Sequence, residues 1–215
     1  MNMDHSSLLD GKMAGRLLDV PPRTVIIDEG EMARSIYRIQ SGQVMLSKLL
    51  PDGRRQIFEL LGPGSIFGLT PHDRYDSIAE SLTDARVAVF ERIVLERLTN
   101  FDSLVVRRLR LQICALHDHA VLLGRKTATE RVSTYIFNLV NDHRSDGASP
   151  QTHALVTVPM TRSEIADYLG LTLETVSRAF SRLKRLGVIS YERHDGPMHV
   201  AVNRLGPLTG TFWTH

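Results

Sequence analysis

Apolar positions along this chain follow three patterns in succession, and each predicts a different architecture. From about residue 20 to 92 they come in short runs: Thr24–Ile27, Ile36–Ile39, Val44–Leu46, Ile57–Leu61 and Arg86–Phe90. Turn chemistry separates the runs, at Asp28-Glu29-Gly30, Ser41-Gly42, Pro51-Asp52-Gly53 and Gly62-Pro63-Gly64. Short strands at this spacing predict a closed or double-sheet β-roll.

The period then changes. No Pro or Gly interrupts Ile93 to Leu123, which predicts one long helix with Gly124 at its carboxyl end. Within it Val106, Leu109, Ile113, Leu116, Ala120 and Leu123 alternate between steps of three and four, the spacing of a coiled-coil seam. A second stripe, Leu104, Leu111, Ala115 and Leu122, is expected to cover the β-roll. Two apolar faces imply two partners, the helix's own domain and a second copy of the chain.

The third pattern is helical and punctuated. Thr127 and Glu130 have capping-box spacing and open a helix through Val132, Ile136, Phe137, Leu139 and Val140. A loop over 144–152 and a short strand at Leu155–Val158 follow. Thr161 and Glu164 then repeat the capping box. Ile165, Ala166 and Leu169 form an inner face, and Gly170 permits a tight turn. Thr172 caps the next helix, whose core stripe is Val176, Phe180 and Leu183 and which Gly187 closes. Glu174, Ser177 and Arg178 share its opposite face near the start. Val188–Tyr191 and Met198–Val202 flank His194-Asp195-Gly196-Pro197 as a hairpin wing. Two short helices and a wing predict a DNA-reading module.

Charge agrees with that division. The chain's net charge is only +2, but residues 124–204 carry eleven Lys and Arg against eight Asp and Glu. Positive charge therefore gathers where phosphate would be met. Arg178 can donate twice to guanine, Glu174 can accept from cytosine N4, and Ser177 can bond a base edge or a phosphate. Thr161, Arg162, Thr172 and Thr175 lie at helix starts, where phosphates are expected.

A hydrophobic share of 42% supports an ordinary packed core. The chain has no run of 18 uncharged apolar residues, so no membrane span is expected, and its amino terminus lacks the order of a signal peptide. The single cysteine, Cys114, fits a cytoplasmic location. No Ser/His/Asp order, paired carboxylates or HExxH spacing supports an enzyme.

The segments TRSEIADYLGLTLETVSRAFSRLKRLGVI (161–189), YRIQSGQV (37–44), LLPDGRRQI (49–57) and GPGSIFG (62–68) together resemble the Crp/Fnr family of bacterial transcription regulators, and within it the FixK type. That resemblance covers nearly the whole chain. It implies an α+β fold: an amino-terminal double-stranded β-helix, or jelly roll, like a cyclic-nucleotide-binding domain over 18–100; a dimerisation helix over 101–124; and a Crp-type winged helix-turn-helix domain over 125–204. It further implies that Glu174, Ser177 and Arg178 read a TTGA…TCAA-like palindrome in double-stranded DNA as a homodimer. The expected regulator is an activator that works with RNA polymerase, in low-oxygen or nitrogen-oxide-linked control, with no membrane partner.

The same resemblance limits the effector. Leu69 stands where a cyclic-nucleotide domain of this family places Glu, and Asp76 where it places Arg. An Asp beside a phosphate repels it. One cysteine cannot hold an iron–sulfur cluster. No cofactor and no metal site is expected. The alternative is a ligand-gated sensor of the same fold, responding to haem or a cyclic nucleotide, with Cys114, His117, His119 and His72 as the ligand candidates for haem or metal.

Overall fold

The structure is a computed structural model describing residues 15–95, 101–142, 152–191 and 196–210. Among the described residues eight strands precede the first helix: β1 Arg16–Val20, β2 Val25–Ile27, β3 Ser35–Ser41, β4 Val44–Leu49, β5 Arg55–Leu61, β6 Ile66–Phe67, β7 Ile78–Ser81 and β8 Ala85–Glu91. They form two four-stranded sheets, ordered β1-β8-β3-β6 and β2-β7-β4-β5. Alternate side chains of both sheets turn inward because the strand period is two. Val20, Ile39, Phe67 and Val87 from one sheet meet Ile27, Val44, Leu46, Leu61 and Ala79 from the other in one core. All five strands expected from the sequence are present, and β1, β6 and β7 are additional. β6 has two residues and β7 four, too short to show a hydrophobic period.

The turn at Gly42 shows how sequence fixes this roll. Its φ is 81°, and a Cβ there would collide with the Asp84 carbonyl and the Ala85 backbone. Only glycine meets both demands.

The helices are α1 Arg92–Leu95, α2 Phe101–Arg125, α3 Ala128–Asp142, α4 Arg162–Leu169, α5 Leu173–Arg185 and α6 Val202–Leu205, which runs into a 3₁₀ turn over Gly206–Thr209. Residues 96–100, between α1 and α2, lie outside the described set. Two details of the long helix differ from expectation. Gly124 does not end it, since α2 continues to Arg125 and Gly124 is not among the positive-φ glycines. The second apolar stripe is not covered either: Leu111 is 58% exposed and Ala115 is exposed, while Leu122 alone is buried. The side chains of Leu104 and Leu109 lie outside the described set.

The covered face of α2 runs instead through Gln112, His119 and Leu122. Gln112 Nε2 donates to a Glu59 carboxylate oxygen at 3.1 Å. The His119 ring lies against Tyr168, with centroids 4.8 Å apart. Two of these three residues are polar, so a search for apolar stripes passes over them.

His119 has a thermodynamic consequence. Burial pushes its pKa below 6.5, because the imidazolium would lose water, and neither ring nitrogen has a hydrogen-bond partner. The unfolded chain therefore binds the proton more readily than the folded one. The contribution of this site to stability is complete above about pH 6.5 and falls away as pH drops toward the folded-state pKa. Urea unfolding at pH 7.5 and 5.5 should show the wild type losing more stability than His119→Phe. Equal losses would sink this reading.

By packing, the chain divides into two units. The first holds residues up to Lys48 and Phe58–Gln112; the second holds Leu49–Ile57 and the residues from Ile113 onward. The tip of the β4–β5 hairpin thus belongs with the second unit. There Arg55 pairs with Asp167 at 3.0 Å, and Gln56 Nε2 donates to the Tyr168 carbonyl at 3.4 Å.

Candidate DNA-reading site

The second unit carries the helix pair. Thr161 Oγ1 accepts from the Glu164 N–H at 3.2 Å, and the Glu164 carboxylate accepts from the Thr161 N–H at 2.7 Å. Two donors of the first turn are thereby satisfied reciprocally, which fixes the start of α4. Gly170 ends α4 in the left-handed region at φ 60°. Two residues later Thr172 Oγ1 accepts from the Thr175 N–H at 3.2 Å and begins α5. Val176, Ala179, Phe180 and Leu183 are the buried residues of α5, the expected stripe with Ala179 added.

The stripe decides what faces outward. Glu174, Ser177 and Arg178 are all exposed, and the Glu174 and Arg178 side chains retain 71% and 77% of their accessibility. The two form an i,i+4 ion pair. Such a pair contributes only about 0.3–0.5 kcal/mol. Both heads are thus free at little cost for hydrogen bonds to base edges. Arg182, Lys184 and Arg185 are exposed in the last turn of the same helix.

The residues expected at phosphates fall into two groups. The Thr161 hydroxyl is engaged with Glu164, and the Thr172 and Thr175 hydroxyls lie 2.8 Å apart. These side chains organise the helix starts whose N–H groups point outward. Arg162 departs from expectation. Its guanidinium lies 3.3 Å from the centre of the Phe180 ring and donates to the Tyr191 hydroxyl at 3.0 Å. The side chain is half-buried, held by a cation–π contact and a phenol rather than extended into solvent.

The resemblance marks Leu173, the first residue of α5, as a position where the cAMP receptor carries Arg. It is a large apolar side chain left 53% exposed beside Glu174.

The wing strands are β10 Ile189–Tyr191 and β11 Met198–Ala201, and with β9 (His153–Val156) they form a sheet in the order β10-β11-β9. β9 spans His153–Val156, two residues earlier than expected, with Val156 paired to Met198. Residues 192–195 of the wing turn and 143–151 of the preceding loop lie outside the described set. α6 and the 3₁₀ turn were not anticipated. They pack on α3 through Leu205 and through the Thr134 hydroxyl, which donates to the Thr209 carbonyl at 3.3 Å.

In the β-roll, Leu69 and Asp76 are the positions expected to bear on a cyclic phosphate. Leu69 packs with Ile66 against Ile36, Ala88 and Phe90. Asp76 is an exposed carboxylate that accepts from the Ser77 hydroxyl at 3.3 Å. Between them Tyr75 is buried in the core. Its hydroxyl donates to the Ser35 carbonyl at 2.8 Å, and burial pushes its pKa up to about 12. Arg74 is tied to the Gly30 carbonyl at 2.6 Å. Of the ligand candidates, Cys114, His117 and His72 are exposed, and only His119 is packed.

Known proteins match both units. A cyclic nucleotide-binding domain matches residues 17–100, and a Crp-like helix-turn-helix domain matches residues 130–204. The nitrogen fixation regulation protein FixK of Bradyrhizobium diazoefficiens is 34% identical over 88% of this chain and 80% of its own length. FixK of Azorhizobium caulinodans is 38% identical over 77% of this chain and 67% of its own. The solved structure of FixK2 from Bradyrhizobium japonicum superposes with a TM-score of 0.80 at 32% identity, covering 94% of this chain and all of that one. The exposed polar face on α5 and these matches lead to one conclusion: the chain belongs to the Crp/Fnr family, FixK type, and is a DNA-binding transcription regulator rather than an enzyme.

Proposed function

We propose that this regulator is a homodimer that reads a TTGA…TCAA-like palindrome with Glu174, Ser177 and Arg178. The observation that carries the reading is the joint exposure of these three side chains on the face of α5 opposite its buried stripe. Leu173, on the same first turn, adds an apolar surface for a thymine methyl group. The helix-start amides of α4 and α5, with Thr161, Thr172 and Thr175 ordering them, meet phosphates. Arg162 acts from beneath by holding Phe180 and Tyr191 together.

Pairing through α2 is supported by its open seam. Val106, Ile113 and Leu116 are about half exposed and Ala120 is exposed, while Leu123 is half-buried at the end of the helix. Two such seams bury one another. Half-sites read by such a pair lie about one helical turn apart.

Relatives named as transcriptional activators, FnrL of Cereibacter sphaeroides and Anr of Pseudomonas aeruginosa among them, support activation through RNA polymerase. The nitrogen-fixation and anaerobic regulators among the relatives support a low-oxygen-linked role. The unsuitable phosphate positions at Leu69 and Asp76 favour a protein without a cyclic-nucleotide effector, and one cysteine favours one without an iron–sulfur cluster. Among the described residues no helix is long and apolar enough to cross a membrane.

Fluorescence anisotropy with a labelled duplex tests the reading. The intact palindrome should bind about 10³-fold or more tightly than a scrambled duplex at one fixed salt concentration. Equal affinity for the two would remove the proposal.

A further inference from the structure

One side chain joins the carboxyl ends of two helices that the sequence keeps far apart. Arg131, in the first turn of α3, donates from Nη2 to the Leu123 carbonyl at 2.6 Å and from Nε to the Lys126 carbonyl at 3.0 Å. Its Nη1 donates to the Leu169 carbonyl at 2.9 Å and reaches the Gly170 carbonyl at 3.5 Å. The acceptors are the last turn of α2, the corner between α2 and α3, and the end of α4 with its turn. Carbonyls at a helix end lack intrahelical donors and carry partial negative charge. A guanidinium is planar, always charged and presents five N–H groups in a fixed fork, so it can bind several such carbonyls at set angles.

The joint is close as well as charged. Gly170 sits at φ 60°, and a Cβ there would lie 3.3 Å from Leu123 Cδ2 and 3.6 Å from Arg131 Nη1. The turn that launches α5 is therefore pressed onto the end of the long helix, with Arg131 as the clasp. α5 packs directly on α4, so fixing α4 against α2 also fixes the direction of the base-reading face.

We infer that Arg131 is a positioning residue that sets the preferred spacing between half-sites, by locking the turn between α4 and α5 to the end of the dimerisation helix. This rests on the homodimer reading above. In a pair joined along α2, the distance and angle between the two α5 helices are inherited from this joint on each side. Adding one base pair between half-sites shifts them by about 3.4 Å and rotates them by about 35°. A rigid joint rejects that change and a loosened one tolerates it.

The experiment uses the full chain and duplexes with identical half-sites whose spacer is the preferred length, one base pair longer or one shorter. Arg131→Lys keeps the charge but replaces the fork by a point donor that cannot span all four carbonyls. Gly170→Ala disturbs the same joint from the other side. Either variant should reduce the preference for the correct spacer by about tenfold, the equivalent of one charge-assisted hydrogen bond. Val140→Ala, a core truncation farther along α3, controls for lost stability and should lower affinity for all spacers alike. Thermal midpoints of each variant set a common temperature at which all are folded.

A wild-type spacer preference that both Arg131→Lys and Gly170→Ala retain would sink this inference alone. Wild-type binding that ignores spacing, or that is as tight on a lone half-site, would sink the paired reading and this inference with it.

Discussion

Arg178→Ala is expected to weaken binding to the specific palindrome by about 1–3 kcal/mol, while binding to random DNA hardly changes. The asymmetry follows from what the side chain does in each setting. Against a base edge the guanidinium can make two hydrogen bonds in a fixed geometry. In the free protein it pairs only with Glu174 on the exposed face of α5, a contact of about 0.3–0.5 kcal/mol. The unfolding midpoint should therefore stay close to that of the wild type while discrimination at one base pair relaxes. Competition titrations against single-base variants of the site measure this directly. An unchanged ratio of specific to random affinity would show that Arg178 does not read a base.

The second large effect concerns pairing. Leu116 is half exposed in the single chain, at a seam position where a coiled-coil partner would bury it. Leu116→Glu places two like charges at the dimer axis. An uncompensated buried charge costs about 3–5 kcal/mol, enough to weaken dimerisation a hundredfold or more. Leu111→Glu is the matched control, since Leu111 is as exposed but lies off the seam. Sedimentation equilibrium should show a monomer for the first variant and a dimer for the second. Affinity for the full palindrome should fall only in the first. If both variants behaved alike, α2 would not be the pairing element.

The proposed pairing and reading surfaces carry opposite requirements: the proposed seam disfavours charge, and the proposed reading face uses it. Both lie on helices whose other sides are already occupied, α5 by Val176, Ala179, Phe180 and Leu183, and α2 by Gln112, His119 and Leu122.

Local sequence determined much of this. Strands β2, β3, β4, β5 and β8, the capping boxes at Thr127 and Thr161, the Gly170 turn and the core stripe of α5 were legible because each depends on residues close together in sequence. So was the outward face of Glu174, Ser177 and Arg178, since burying one side of a helix dictates the other. Tertiary structure alone decided the rest. The covered face of α2 is chosen by Glu59 and Tyr168, partners distant in sequence and partly polar, so apolar periodicity misplaced it. Arg162 turns inward because Phe180 and Tyr191 converge beneath it. Arg131 finds four carbonyls only once the ends of α2 and α4 have met. In each case the missing term was a long-range hydrogen bond or ring contact, whose energy belongs to a pair of residues that no local pattern brings together.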